Sequence, residues 1–291
     1  MKSKLSKICK VIEEADLYSY NTFKLHSKCK MLLLVDKVVD LKKVINILNE
    51  YSVRWFMIGN GSNIILPNYY DGVVIKYCNN EYKLDNDLLY VSSGVMLNKI
   101  ASEVSNMGYA GLDFATGIPG TIGGSIVGNA GAYGSSISNV LVSASVYDGK
   151  DIYEISNEDF EFKYRDSKLK GKHDVVILSA VFKLEKADKE ELKKVILERT
   201  NKRIETQDLA NPSNGSVFRN PDGFAAGKLI DDLGLKGYRV NDAVVSKKHA
   251  NFIINEGNAT SKDIIELIDI IKSKVKDEYN IELHLEQEII L

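Results

Sequence analysis

The sequence predicts a protein of mixed helices and strands built from more than one subdomain, and three observations carry that expectation. Its 291 residues exceed the usual size of one core, so two or three subdomains are expected, with cores large enough to wall a cleft. Apolar residues recur at helical spacing in some windows and run continuously or alternate in others, which intersperses helices with strands. Nine of the 21 glycines fall between Gly108 and Gly134, in the run GYAGLDFATGIPGTIGGSIVGNAGAYG. Glycine costs about 0.5 to 1 kcal/mol relative to alanine inside a helix or strand, so this density implies left-handed turns or main chain pressed against a ligand.

The elements follow in order. Leu41, Val44, Ile45 and Leu48 fall at helical spacing behind Asp40, which can cap a helix, and Val53 to Ile58 then reads as a buried strand. Val73 to Ile75 and Leu88 to Val91 read as further strands, and Leu97, Ile100, Ala101 and Val104 stripe a helix closed by Gly108. From Val140 the pattern is strand-rich, through Val146, Ile152 to Ile155 and Val175 to Leu184. Asp188 with Glu191 then opens a helix carrying Leu192, Val195 and Ile196. Thr206 to Asn220, with Pro212, Asn214 and Gly215, reads as a loop and a boundary. Beyond it, Ala226, Leu229, Ile230 and Leu233 stripe a short helix ending at Gly234, and Val244 to Ile254 holds strand material. Thr260 with Asp263 caps a last helix that buries Ile264, Leu267, Ile268, Ile271 and Val275. The tail alternates as a terminal strand, with Ile281, Leu283 and Leu285 on one face and Glu282, His284, Glu286 and Glu288 on the other.

A formal charge of -2 with acids and bases interspersed gives no footprint for a nucleic-acid backbone and no polybasic membrane patch. A small-molecule ligand is expected. Cys9, Cys29 and Cys78 are odd in number and lack partners at zinc spacing, so they read as free thiols in a reducing compartment, with no metal site. Charges interrupt the N-terminal stretch before any signal-peptide core, and no apolar run approaches the roughly 18 residues of a membrane span. A soluble cytoplasmic protein is expected.

A second glycine loop, Gly59-Asn60-Gly61-Ser62-Asn63, leaves the strand ending near Ile58, and its N–H groups can wrap phosphate. Two such loops point to a large phosphate-bearing ligand. A dinucleotide fingerprint needs a third small residue where Ile64 stands, and neither cluster supplies the lysine of a Walker loop. A hydrolase elbow around Ser216 fails because Asn214 and Phe218 occupy both glycine positions.

The motifs GNGSNIIL, GIPGTIGGSIVGNAGAYG, FKYRDS, PSNGSVFRNP, AGKLIDDLGLKG, VVSKKHANFIIN and a closing LEQEI, in that order, resemble the UDP-N-acetylenolpyruvoylglucosamine reductase family over nearly the whole chain. The resemblance implies the α+β FAD-binding fold of the vanillyl-alcohol oxidase / p-cresol methylhydroxylase type. It implies two FAD-binding subdomains, 1–78 and 79–204, the second joined by a C-terminal strand over 283–291. A smaller α+β substrate-binding domain would cover 205–282. It further implies non-covalent FAD, NADPH as co-substrate, and reduction of UDP-N-acetylglucosamine enolpyruvate to UDP-N-acetylmuramic acid for peptidoglycan.

By the same resemblance, Gly59, Asn60, Gly61, Ser62 and Asn63 would surround the FAD pyrophosphate and adjoining groups. Gly117, Ile118, Pro119, Gly120, Gly123, Gly124, Ser125, Asn129, Gly131 and Ala132 would do so from the second loop. Ser216 matches the family's proton-donating serine. A hydroxyl is a very weak acid, but the reaction generates a carbanion basic enough to take its proton. Arg165 matches the arginine that holds the substrate carboxylate. The residue-level alternative is a strand arginine, since Phe160, Phe162 and Tyr164 alternate against Lys163 and Arg165. Glu288 matches the family's acidic residue, with Glu286 in reserve because Gln287 stands where the family usually has Pro. Tyr164, Asn220, Lys228, Lys247 and His249 are candidates for the UDP-sugar, although Tyr164 also suits a core, Lys247 a solvated turn and His249 a packed histidine.

Other departures are Asn241 for a common Gly, Ser125 for Ala, and His26-Ser27 for a frequent Gly-Gly after Asn21-Thr22-Phe23. No insertion that could form a long substrate-covering loop separates Leu184 from Asp188. A flavin oxidase of the same fold with another substrate, and a nucleotide-binding module without catalysis, are the competing readings.

Overall fold

The computed structural model describes residues 1–290. The chain forms two compact units, each assembled from separated stretches. The first takes Met1–Glu14, Lys30–Asn60 and Asp71–Thr200; the second takes Ala15–Cys29, Gly61–Tyr70 and the chain from Asn201 on.

The first unit is organised by two sheets. One has the strand order Lys10–Asp16, Lys28–Val35, Tyr69–Tyr77, Trp55–Ile58. Its last pair is parallel, with Trp55 opposite Val73 and Ile58 opposite Lys76. The helix Val38–Glu50 buries Leu41, Val44, Ile45 and Leu48 against Met31, Leu33, Val35, Val73 and Ile75. Each such side chain contributes about 1.5 to 3 kcal/mol when fully buried, so this one face decides where the helix docks. The other sheet is antiparallel, in the order Ile152–Ser156, Leu141–Tyr147, Val176–Lys183, Leu88–Ser92, Tyr82–Asp85. Ile155, Ala144, Ala180 and Val91 lie opposite one another across four strands. That row is buried with Leu97, Ile100, Ala101 and Val104 of the helix Leu97–Asn106.

The second unit holds an antiparallel sheet in the order Ser213–Ser216, Phe252–Asn255, Ala243–Val245, Arg239–Val240. Helices Ala226–Asp232 and Ser261–Tyr279 cover its core with Leu229, Ile230, Ile264, Leu267, Ile268 and Ile271. Thr260 and Asp263 form the expected capping box, each side chain bonding the other's backbone N–H. Glu288–Ile289 pairs in parallel with Ile64–Ile65.

Four local expectations are corrected. Asp40 lies inside the first helical turn, because the Lys37 carbonyl already accepts the Asp40 and Leu41 N–H groups at 3.1 and 2.9 Å. Phe160 to Arg165 is not extended. Glu158–Phe160 is a 3-10 turn, and Glu161 and Arg165 have φ of 50° and 55°. Lys163 and Asp166 exchange two main-chain hydrogen bonds of 3.1 Å, leaving Tyr164 and Arg165 at the tip of a two-residue turn. The segment Thr206 to Asn220 is not all loop, since a helix reaches Thr206 and Ser213–Ser216 is a strand. The tail is a strand only at Glu288–Ile289, yet its parity survives, with Leu283 and Gln287 buried. An isolated bridge between Phe218 and Leu285 holds it, and the chain bends at 286 and 287.

Candidate functional site

In the first unit the two glycine loops meet. Gly59 ends its strand so close to Thr121 that a Cβ there would come 2.6 Å from the Thr121 Oγ1. The Asn60 Nδ2 donates to the Pro119 carbonyl at 2.7 Å, and the Lys76 Nζ donates to the Gly59 carbonyl at 2.5 Å. Burial pushes the Lys76 ammonium below its ordinary pKa. Thr121 caps the helix Ile122–Val127 by accepting the Gly124 N–H, and the Gly123 N–H reaches the Ser93 carbonyl at 2.9 Å. Ser125 is buried in that helix, and Ile118 donates to the Ala115 carbonyl just before it.

Downstream, Asn129 is buried with φ 41°; its Nδ2 donates to the Lys163 carbonyl at 2.9 Å and its Oδ1 accepts the Ser138 N–H. Gly131 and Ala132 pair with Ser136 and Ser135, and a Cβ on Gly131 would lie 2.5 Å from the Ser135 carbonyl oxygen. The Gly131 carbonyl accepts the Arg165 Nη2 at 2.6 Å, and the Lys170 Nζ donates to the Arg165 carbonyl. The guanidinium lies 5.0 Å from the centre of the Tyr164 ring, itself 54% exposed. The turn carrying Arg165 is thus bonded to the glycine loop at two points.

These loops have unspent donors. Among the described residues, the N–H groups of Asn60, Gly61, Ser62 and Asn63 donate to no protein acceptor, and neither do those of Gly117 and Gly120. Within the first unit, the open N–H groups of Asn60, Gly117 and Gly120 are donors of the kind that suits the pyrophosphate of a dinucleotide such as FAD.

In the second unit Gly61 has φ 62°, and a Cβ would run into the Tyr20 carbonyl. The Asn63 Nδ2 donates to the Glu286 carbonyl at 3.1 Å, and the Glu288 N–H to the Asn63 carbonyl at 2.9 Å. Ser216 ends its strand opposite Phe252, and its carbonyl accepts the Gln287 Nε2 at 3.2 Å. Its hydroxyl makes no hydrogen bond with another described residue. Buried Asn214 donates to the Ile64 carbonyl at 2.7 Å and accepts the Thr22 hydroxyl at 2.6 Å. Ser216, Glu286, Glu288 and Asn63 are therefore brought together on laddered segments of one unit.

The sugar-binding candidates of this unit are mostly engaged. The Asn220 Oδ1 accepts the Ala226 N–H at the start of a helix, and Lys228 forms an exposed ion pair with Asp232 that raises its pKa. Lys247 is exposed. The His249 Nδ1 accepts the Asn251 N–H at 3.3 Å while the ring packs on Phe252. His26, beside Phe23, pairs with Asp16 at 2.7 Å and stacks on Tyr18. Sequence reasoning missed Lys76 and Gln287. A lysine ending an apolar strand, and an amide at an inward position of an alternating tail, were the available signals.

Residues 207–290 match a sequence model described as the C-terminal domain of UDP-N-acetylenolpyruvoylglucosamine reductase, and residues 29–151 match one described as an FAD binding domain. The chain is 37% identical over 285 residues to the UDP-N-acetylenolpyruvoylglucosamine reductase of Bacillus subtilis, covering 97% of this chain and 94% of the relative. It is 40% identical over 275 residues to the enzyme so named in Clostridium tetani, covering 94% and 89%. The crystal structure of the reductase from Thermus caldophilus superposes with a TM-score of 0.82 at 30% identity, over 97% of this chain and 99% of that one. A glucose dehydrogenase, Phl p 4.0202, shares the fold alone, with a TM-score of 0.53 at 10% identity over 65% of this chain and 44% of its own.

Proposed function

This chain belongs to the UDP-N-acetylenolpyruvoylglucosamine reductase family, and on that premise we propose how its residues share the reaction. It is an FAD-containing oxidoreductase that uses NADPH to reduce UDP-N-acetylglucosamine enolpyruvate to UDP-N-acetylmuramic acid in peptidoglycan precursor synthesis. FAD, when bound, supplies hydride transfer from NADPH to the enolpyruvyl group. The remaining tasks fall to side chains and main chain of this protein.

The open N–H groups of Gly59 to Asn63 and of the loop Gly117 to Ala132 hold the cofactor's phosphates without a covalent bond. Arg165 holds the substrate carboxylate through its guanidinium. Positive charge there stabilises the enolate-like form as the double bond is reduced. Ser216 gives its proton to the carbon beside that carboxylate. Glu288, or Glu286 on the same segment, supports the charge rearrangement. Tyr164, Asn220, Lys228, Lys247 and His249 serve the UDP-sugar. Lys228 must leave Asp232 to do so, whereas His249 acts through its shape and its free ring nitrogen. The division into 1–78, 79–204 with 283–291, and 205–282 accompanies this reading, as does a place in the cytoplasm, where the UDP-sugar would be met. No described helix is long and apolar enough to cross a membrane.

The observation that carries the assignment is the Ser216 hydroxyl. It makes no hydrogen bond to a described residue, on a strand laddered to the segment of Glu286 and Glu288. A hydroxyl spent on its own turn would not be available as an acid. Stopped-flow absorbance of Ser216→Ala tests it. Bleaching of the flavin by NADPH should match the parent protein, while reoxidation by the enolpyruvyl substrate should slow by about 10² to 10⁴. Reoxidation at the parent rate would remove Ser216 from the role.

A further inference from the structure

Gln287 occupies an inward position of the tail, where the parity of Leu283 calls for an apolar side chain, and it is 3% exposed. Its Nε2 makes one hydrogen bond, to the Ser216 carbonyl at 3.2 Å, and its Oε1 is buried with no partner among the described residues. An unpaired buried acceptor is costly, and an apolar residue of similar size would avoid that cost. Stability therefore does not account for an amide here.

Holding the two segments together does not account for it either. The Glu286 N–H already donates to the Val217 carbonyl and the Arg219 N–H to the His284 carbonyl, each at 2.9 Å, with the Phe218 and Leu285 bridge between them. What the amide adds is local to Ser216. The strand shifts register between Ser213 and Ser216, and Gly215 before it has φ 74°. The ladder is irregular where the serine sits. With no side-chain hydrogen bond to a described residue, the Ser216 hydroxyl takes its direction from the backbone alone. The Val217 N–H holds one side of the peptide plane that follows Ser216 by donating to the Asn251 carbonyl at 2.9 Å, and a donor on the Ser216 carbonyl fixes the other side, and with it the direction of the Cα–Cβ bond.

We propose that Gln287 is a positioning residue: its amide aims the Ser216 hydroxyl and couples it to the segment bearing Glu288. The proposal rests on the proton-donor role assigned to Ser216. Gln287 touches no reacting atom and transfers no proton.

Gln287→Glu tests it in the flavin-loaded enzyme, because a carboxyl of nearly the same shape donates to the Ser216 carbonyl only when protonated. Reoxidation by the enolpyruvyl substrate should approach the parent rate at acidic pH. It should fall about 5- to 10-fold as the carboxyl ionises, the loss of one positioning hydrogen bond, with an inflection that the parent lacks. Reduction by NADPH should match the parent at every pH. Gln287→Met covers the case in which the carboxyl prevents folding: a similar loss in reoxidation, flat with pH, with NADPH bleaching intact.

Parent reoxidation rates in the variants, or equal slowing of both half-reactions, would overturn the proposal, the second outcome marking a plain packing role. Ser216→Ala, run alongside, separates the two ideas. If it reoxidises at the parent rate, the proton-donor reading has failed and Gln287 has nothing to aim. If it is slow while both Gln287 variants are fast, the positioning proposal alone has failed.

Discussion

Burial pushes the His249 imidazole below its ordinary pKa of 6.5, because a ring packed 4.4 Å from Phe252 loses the water that would solvate its cation. The neighbouring Lys236 charge acts in the same direction. The unfolded chain therefore takes up a proton near pH 6.5 that the folded protein refuses until a lower pH, so stability falls as pH falls through that window. His249→Gln should flatten this slope, which chemical denaturation at a series of pH values would measure. At this scale the sequence was readable where residue type and spacing dictate geometry: Thr260 and Asp263 form the capping box that their spacing announces. It was unreadable where the meaning lay in a partner. Nothing in Lys-Tyr-Arg-Asp shows that Arg165 would sit at a turn tip with its guanidinium on the Gly131 carbonyl, because that contact spans 34 positions.

The glycine loops differ from an ordinary turn in what surrounds them. Gly61 and Gly134 both have positive φ, at 62° and 80°, but only Gly61 would drive a Cβ into backbone, at Tyr20 and Asn21, whereas Gly134 has nothing within 4 Å. Gly134→Ala should thus cost only the left-handed penalty of about 1 to 2 kcal/mol. Gly61→Ala should cost clearly more and reduce flavin content, because the loop must move. Thermal melts and the flavin-to-protein absorbance ratio of both variants check this. Among elements, the helices were the most legible, since their stripes are local; Leu41, Val44, Ile45 and Leu48 mark the buried face without reference to the sheet it packs on. The turn at Lys163 to Asp166 was not, because alternating aromatics imitate a strand. The left-handed φ values that break it fall on glutamate and arginine, residues that give no warning.

Over the whole molecule, the mixed helix and sheet class, the family and the flavin fold were all legible, since ordered motifs survive in sequence whatever the spacing between them. The membership of the two units was not. Residues 15–29 and 61–70 join the second unit although they precede most of the first, and no periodicity reports such a return. The His26 Nδ1 pairs with Asp16 and its ring stacks on Tyr18, and non-covalent retention of the flavin is the proposal to be tested. Acid precipitation should therefore release all the flavin into the supernatant and leave a colourless pellet, which absorbance of the two fractions would check; colour in the pellet would indicate attachment.

The parallel pairing of Glu288–Ile289 with Ile64–Ile65 sets a timetable for biosynthesis. At about 5 to 20 residues per second, Ile64 and Ile65 leave the ribosome roughly 10 to 45 s before their partners exist. Phe23, Leu25 and Ile65, which belong to the second unit's core, wait exposed through the synthesis of nearly the entire first unit. The first unit has all its residues once Thr200 has emerged, whereas the second can close only after residues 283–290 have followed. A nascent chain of this protein thus carries an apolar surface that waits for residues far downstream, and the segments of Ser216 and Glu286 become neighbours only after both have emerged.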